Sequence, residues 1–108
     1  MPFSIEFYSE SVRSEIFAWP VGIAASFTAI AVRMVEHGPN LGLPHTRAMG
    51  DGLFELRARG PEGIGRAFFC TQVGQRVVIL HGFIKKSQTT PKVELQMARR
   101  RLSEVRNG

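Results

Sequence analysis

"DGLFELRARGPEGIGRAFFCTQVGQRVVILHGFIK", residues 51–85, decides the fold. Its first run, "LFELRAR", alternates. Phe54, Leu56 and Ala58 fall on one face, and Glu55, Arg57 and Arg59 on the other, the period-two pattern of a half-buried strand. "GPEG" (60–63) reads as a turn, "IGRAFFCT" (64–71) as the next strand and "VGQ" (73–75) as a second turn. "RVVILHGFIK" (76–85) is nearly continuous in apolar residues, which predicts a central strand covered on both faces. Connections this short make sequential strands antiparallel neighbours, so the stretch predicts a three-stranded meander.

Upstream, "FSIEFY" (3–8) alternates like a strand. "SESVRSEIFAW" (9–19) then offers Ser9 or Ser11 as a helix cap, with Val12, Ile16 and Trp19 at helical spacing on one face. Pro20 suits the first turn of a second helix running to about His37. Ile23, Phe27, Ile30 and Met34 form its apolar stripe, and Gly38-Pro39 ends it. Residues 38–52, rich in Gly and Pro, form a connection. Downstream, Thr90 caps a last helix with Pro91 in its first turn. There Leu95, Ala98, Leu102 and Val105 recur at helical spacing, and Arg99 and Arg100 lie on the polar faces, with Arg101 near the boundary. The expected order is β-α-α-β-β-β-α. This is an α+β fold with a small, mostly antiparallel sheet packed against helices, in one domain spanning residues 1–108.

The chain carries a net charge of +5, unevenly spread. Residues 1–56 hold three Arg against six carboxylates, a net −3. Residues 57–108 hold eight Arg and three Lys against three Glu, a net +8. That polarity suggests an anionic partner for the second half, nucleic acid first and acidic protein second, against the plainer reading of a solvated basic surface. The single Cys70 excludes an internal disulfide, and with no signal sequence the chain fits a reducing cytoplasm. Residues 16–35 are mostly apolar but are diluted by Pro20, Gly22, Ser26, Thr28 and Arg33 and preceded by acidic residues. They read as a packed helix, not a membrane span.

Zinc spacing, an acidic magnesium cluster, a P-loop and a nucleophile elbow are all missing from the sequence, so no metal or cofactor is expected. Cys70 in "FFCT" reads as a small buried strand residue. The chemistry-bearing residues left are Arg57, Arg59, Arg66, His81, Lys85, Lys86, Gln88, Thr89 and the arginines of the last helix. If the strand faces coincide, Arg57, Arg66 and His81 stand beside each other; the register decides this. Such a surface suits RNA. Guanidinium forks grip phosphate, lysine adds point charge and histidine exchanges a proton near neutral pH. Metal-free RNA cleavage needs a base for the 2′-hydroxyl, cations for the pentavalent phosphate and an acid for the leaving 5′-oxygen. Phe83 or Tyr8 could stack a base. Against these readings, Phe83 also fits the core, Tyr8 fits an edge with a wet hydroxyl, and His81 fits a satisfied core histidine.

"DGLFELR" (51–57), "GRAFF" (65–69), "VVILHGFIKKSQTTP" (77–91) and "ELQMARRRLSEV" (94–105), approached through "LPHTRAMGDG" (43–52), carry a family likeness. In this order and spacing they resemble the phage-derived branch of the RelE/HigB toxin superfamily. The resemblance covers most of the chain and is strongest from Asp51 to Arg101. It implies a RelE-like fold and the toxin of a type II toxin–antitoxin pair, a metal-independent mRNA endoribonuclease associated with the ribosome. Its implied partners are a cognate helix-turn-helix antitoxin, mRNA and the ribosome, with no membrane. Carried over by residue, Arg57 and Arg66 hold phosphate, Lys85 or Lys86 stabilises the transition state or holds rRNA, and His81 is the candidate for proton transfer. Arg59, Lys86, Arg99 and Arg100 are expected to bind RNA. The chain departs from the pattern at its end: "RLSEVRNG" has neither the Tyr nor the His that ribosome-dependent relatives often carry there, and Ser87 stands where threonine is common. Two alternatives stay open, a superfamily member directed at a protein such as DNA gyrase, and a non-catalytic nucleic-acid-binding module.

Overall fold

The computed structural model describes residues 2–86 and 91–108. In chain order it has β1 (Ser4–Phe7), α1 (Glu10–Phe17), α2 (Val21–His37), β2 (Thr46–Gly50), β3 (Leu53–Gly60), β4 (Gly63–Gln72), β5 (Arg76–Lys85) and α3 (Lys92–Asn107). The strands form one five-stranded sheet in the order β1-β5-β4-β3-β2. β1 runs parallel to β5, and every other pair is antiparallel. The fold is α+β, a mixed sheet packed against three helices, compatible with a RelE-like architecture.

The predicted meander is β3-β4-β5. One strand is additional: β2 lies inside the Gly/Pro-rich segment read as a connection. It buries only Thr46, so it carries no alternating apolar signal, and it exists because it adds an edge to β3. β5 lies inside the sheet between β1 and β4 and is covered on both faces over Val77–Leu80, as expected, and its neighbour β4 is buried from Gly65 to Cys70.

Two cores flank the sheet. On one side Val12, Ile16, Ile23, Phe27, Ile30 and Met34 of α1 and α2 pack on Leu56, Ala58, Ala67, Phe69, Val77 and Ile79. The apolar stripe expected for α2 is the stripe it buries. Ser9 is the α1 cap, its hydroxyl accepting from the Val12 N–H at 3.2 Å. The helix ends at Phe17, so Trp19 reaches the core from beyond it, where Gly65 and Gly82 leave room for the indole. A Cβ on Gly65 would stand 2.7 Å from Trp19, and one on Gly82 2.6 Å from Ile16. Pro20 occupies the cap position of α2 and offers no side-chain acceptor. Glu62, from the β3–β4 turn, takes that part, accepting from the Gly22 N–H at 2.9 Å.

On the other side Ala98 and Leu102 of α3, with Leu95 and Val105, cover Leu53, Phe68, Cys70, Val78, Leu80 and Phe83. Pro91 stands at the α3 cap position, and the expected Thr90 cap lies outside the described residues. Among the described residues no helix is long and apolar enough to cross a membrane.

Candidate functional site

α3 covers only part of its face of the sheet. The register fixes what remains. Arg57 pairs with Arg66, and Arg66 with Phe83. One row toward α3 lie Glu55, Phe68 and His81, and one row away lie Arg59, Ile64 and Lys85. Arg57, Arg66, His81 and Lys85 therefore share one face, as parity suggested they could. The device that puts His81 there is a β-bulge. Phe68 pairs with His81 but Phe69 with Ile79, leaving Leu80 as an extra residue on β5. The bulge reverses the strand's parity, so His81, Phe83 and Lys85 face α3 although Val77 and Ile79 face α2. The Leu80 carbonyl accepts a hydrogen bond from Arg101 Nη1 of α3 at 2.8 Å.

The cations form a cluster around one carboxylate. Glu55 is fully buried, and Arg66 is 2% exposed. Arg66 Nη1 donates to Glu55 Oε2 at 2.9 Å, and Arg47 Nη2 of β2 lies 3.2 Å from Glu55 Oε1. Arg66 thus faces a carboxylate and not solvent. Arg57 and Lys85 are half-buried, and neither has a carboxylate within ion-pair reach among the described residues, whereas the exposed Arg47 does. Partial burial, then the neighbouring Arg66, pushes the Arg57 guanidinium below its ordinary range. Partial burial, then Arg66, Arg57 and Arg47, pushes the Lys85 ammonium down, against the opposing pull of Glu55. Four cations share one carboxylate, and an anion entering the cluster relieves that repulsion.

His81 is close in register but turned elsewhere. Its Nε2 lies 2.6 Å from Glu94 Oε1 in the first turn of α3, and its ring stacks on Phe83 at 6.0 Å between centroids. The dyad opens into a cavity of about 660 Å³ that Glu15 and Lys86 also line. A carboxylate that orients an imidazole in this way is a common arrangement for proton transfer.

The remaining candidates divide. Arg59, Lys86 and Arg100 are exposed. Arg99 is engaged: its Nη2 donates to the Met49 carbonyl at 3.1 Å and its Nη1 to the Gly50 carbonyl at 3.4 Å, so it ties α3 to the β2–β3 turn. Phe83 is buried against Phe68 and His81, a core ring. Tyr8 has Arg101 over its ring at 4.7 Å, and its hydroxyl donates to Glu104. Neither ring is free to stack a base. Cys70 is buried as expected, and burial raises its thiol pKa. Ser87, Gln88 and Thr89 lie outside the described residues.

Three residues of the site were missed in the sequence: Arg47, Glu55 as a buried counterion, and Glu94. The alternation Glu55-Arg57-Arg59 did carry a signal, since it set opposite charges on one face. Nothing local linked Glu94 to His81, because the bulge sets which way His81 points.

A known protein family now bears on the whole arrangement. The family described as "Phage derived protein Gp49-like (DUF891)" matches residues 14–103, which take in every residue of the cluster and the dyad. The chain belongs to that family. Gp49-like proteins fall within the RelE/HigB-like toxin group, so the chain is a phage-derived member of that group. Membership points to a toxin of the RelE-like toxin–antitoxin type and implies an antitoxin partner. No individually curated protein matches the chain.

Proposed function

We propose that this Gp49-like toxin is a metal-independent endoribonuclease that cleaves mRNA at the ribosome and so blocks translation. The observation that carries the reading is the Arg57–Arg66 cross-strand pair with Lys85 beside it, a concentration of positive charge that one buried carboxylate does not neutralise. The cleavage needs no group from outside the polynucleotide and protein. The 2′-hydroxyl oxygen attacks the adjacent phosphorus as its proton passes to a base. The bond to the 5′-oxygen breaks, and an acid protonates that oxygen, leaving a 2′,3′-cyclic phosphate and a 5′-hydroxyl. Arg57 and Lys85 bind the phosphate and the charge it gains in the transition state. Arg66 adds to the field from its buried position and holds Glu55. His81, oriented by Glu94, transfers a proton, and Lys86 and Arg59 hold flanking phosphates. Arg100 extends the basic field along α3.

The reading is tested by brief induction of the chain in bacterial cells with RNA 5′ ends mapped before and after. New ends concentrated in translated frames are expected. Growth arrest with unchanged ends would contradict the proposal and point to a protein target such as gyrase.

A further inference from the structure

β2 begins at Thr46, opposite Leu56, so Arg57 to Gly60 of β3 run on without a strand on that side. The gap is stitched by other groups. The Arg57 N–H donates to the His45 carbonyl at 2.8 Å, and the Arg59 N–H donates to Ser26 Oγ of α2 at 3.1 Å. Beside this edge lies a cleft of about 660 Å³ between α2, residues 43–45 and the end of β3. Ile30, Leu43, Pro44 and Ile64 give it apolar walls. Arg33, Arg57, Arg59 and His45 line it as well, and no carboxylate does among the described residues. Arg33 and Arg59 are exposed, and the Arg33 guanidinium lies 3.5 Å from His45 Nε2, with no carboxylate in ion-pair reach among the described residues. The volume is that of a small-molecule site, and apolar walls with a few converging polar groups are the usual make-up of one. Arg57 lines this cleft and also stands in the cation cluster on the sheet face, so the two adjoin at the end of β3.

We infer that this cleft is a nucleotide subsite for one residue of a single-stranded polynucleotide whose backbone crosses from the Arg57–Lys85 cluster over the free edge of β3. Its phosphate sits on Arg33 and Arg59, and its base lies against Leu43, Pro44 and Ile30. The inference rests on the reading of the cluster as an RNA site and adds where the strand goes next. An acidic peptide is the competing occupant for such charge. Strand addition is the way a peptide would use an open edge, and it needs free backbone donors. Those of Arg57 and Arg59 are already taken.

The test uses the whole chain, labelled for nuclear magnetic resonance, titrated at low salt with an all-deoxy hexanucleotide that cannot be cleaved. Adenosine monophosphate and a hexaglutamate peptide are the comparison probes. The expected result is that the hexanucleotide shifts resonances of Arg33, His45 and Lys85 together. Arg33→Ala should weaken its binding about tenfold, the loss of one charge-assisted contact, and Ala29→Glu, which sets a carboxylate at an exposed position of the cleft, should weaken it about tenfold by repelling the phosphate. Hexanucleotide binding that is unchanged in both variants and shifts only Arg57 and Lys85 overturns the subsite and leaves the RNA reading standing. No hexanucleotide binding at all overturns both. Adenosine monophosphate filling the cleft while the hexanucleotide stays out, or hexaglutamate binding there more tightly than the hexanucleotide, also overturns the inference.

Discussion

Burial, and then the fields of the Arg66, Arg57 and Arg47 guanidiniums, act on Lys85. Its folded-state pKa lies below the ordinary 10.5, so more of it is free amine at mildly basic pH. At about pH 9 its acylation should therefore outpace that of free Nα-acetyl-lysine, as read by mass spectrometry of labelled peptides. Arg57→Gln removes one of the repelling charges, raises the Lys85 pKa and should slow the labelling; an unchanged rate would deny the coupling. The sign for stability follows. A lysine depressed in the fold binds fewer protons there than in the unfolded chain. Its contribution to stability thus rises with pH between its folded value and 10.5. At this scale the sequence was legible in part. Alternation placed Arg57 and Arg59 on one face, and the faces of β3, β4 and β5 do coincide. Arg66 was legible as a cation but not as a buried one, because its burial depends on Glu55, and that pairing appears only across the strands.

The pair itself belongs to the scale of elements, since β3 supplies the carboxylate and β4 the guanidinium. Glu55→Gln leaves Arg66 buried without its counterion and should cost about 3–5 kcal/mol in urea denaturation. Replacing both at once, Glu55→Met with Arg66→Met, should recover most of that stability while leaving toxicity impaired. A double variant as unstable as the single one would show that the site's packing, not its charge, is at fault. Trp19 gives a second test. It connects α1 and α2 to the sheet through the space left by Gly65 and Gly82, and Gly82→Ala forces a methyl against Ile16. That substitution should lower stability by about 1–3 kcal/mol, measured the same way. Helix α2 could be read from its stripe because a single buried face imposes a regular period. Strand β2 and the Leu80 bulge could not. An edge strand needs only one buried residue, and a bulge is a mismatch between two strands that neither strand records alone.

Across the molecule, the charge division of the sequence becomes a spatial one. The +8 half contributes β4, β5 and α3, together with Arg57 and Arg59 of β3, and the −3 half contributes the two helices on the other face. Not all of that charge is available to a ligand. Arg99, Arg101 and Arg106 each donate to backbone carbonyls, at Met49 and Gly50, at Leu80 and at Asp51, and so hold α3 in place. If Arg33, Arg57, Arg59, Lys85 and Lys86 are the groups that meet phosphate, log K for a single strand should fall with log salt at a slope of about −3.5, near −0.7 for each contact. Arg57→Gln should reduce that slope by about 0.7. A slope near zero would remove the polynucleotide from the account.

The most direct test is the chemistry of the cut ends. Purified chain is added to ribosomes carrying a defined mRNA, beside an Arg57→Ala variant shown to be folded by circular dichroism, and the product termini are identified. The account predicts 2′,3′-cyclic phosphate and 5′-hydroxyl ends with the natural chain and a loss of about a hundredfold or more with the variant. Intact mRNA with the natural chain, or equal cleavage by both, would contradict the claim that the Arg57–Arg66–Lys85 face cleaves RNA.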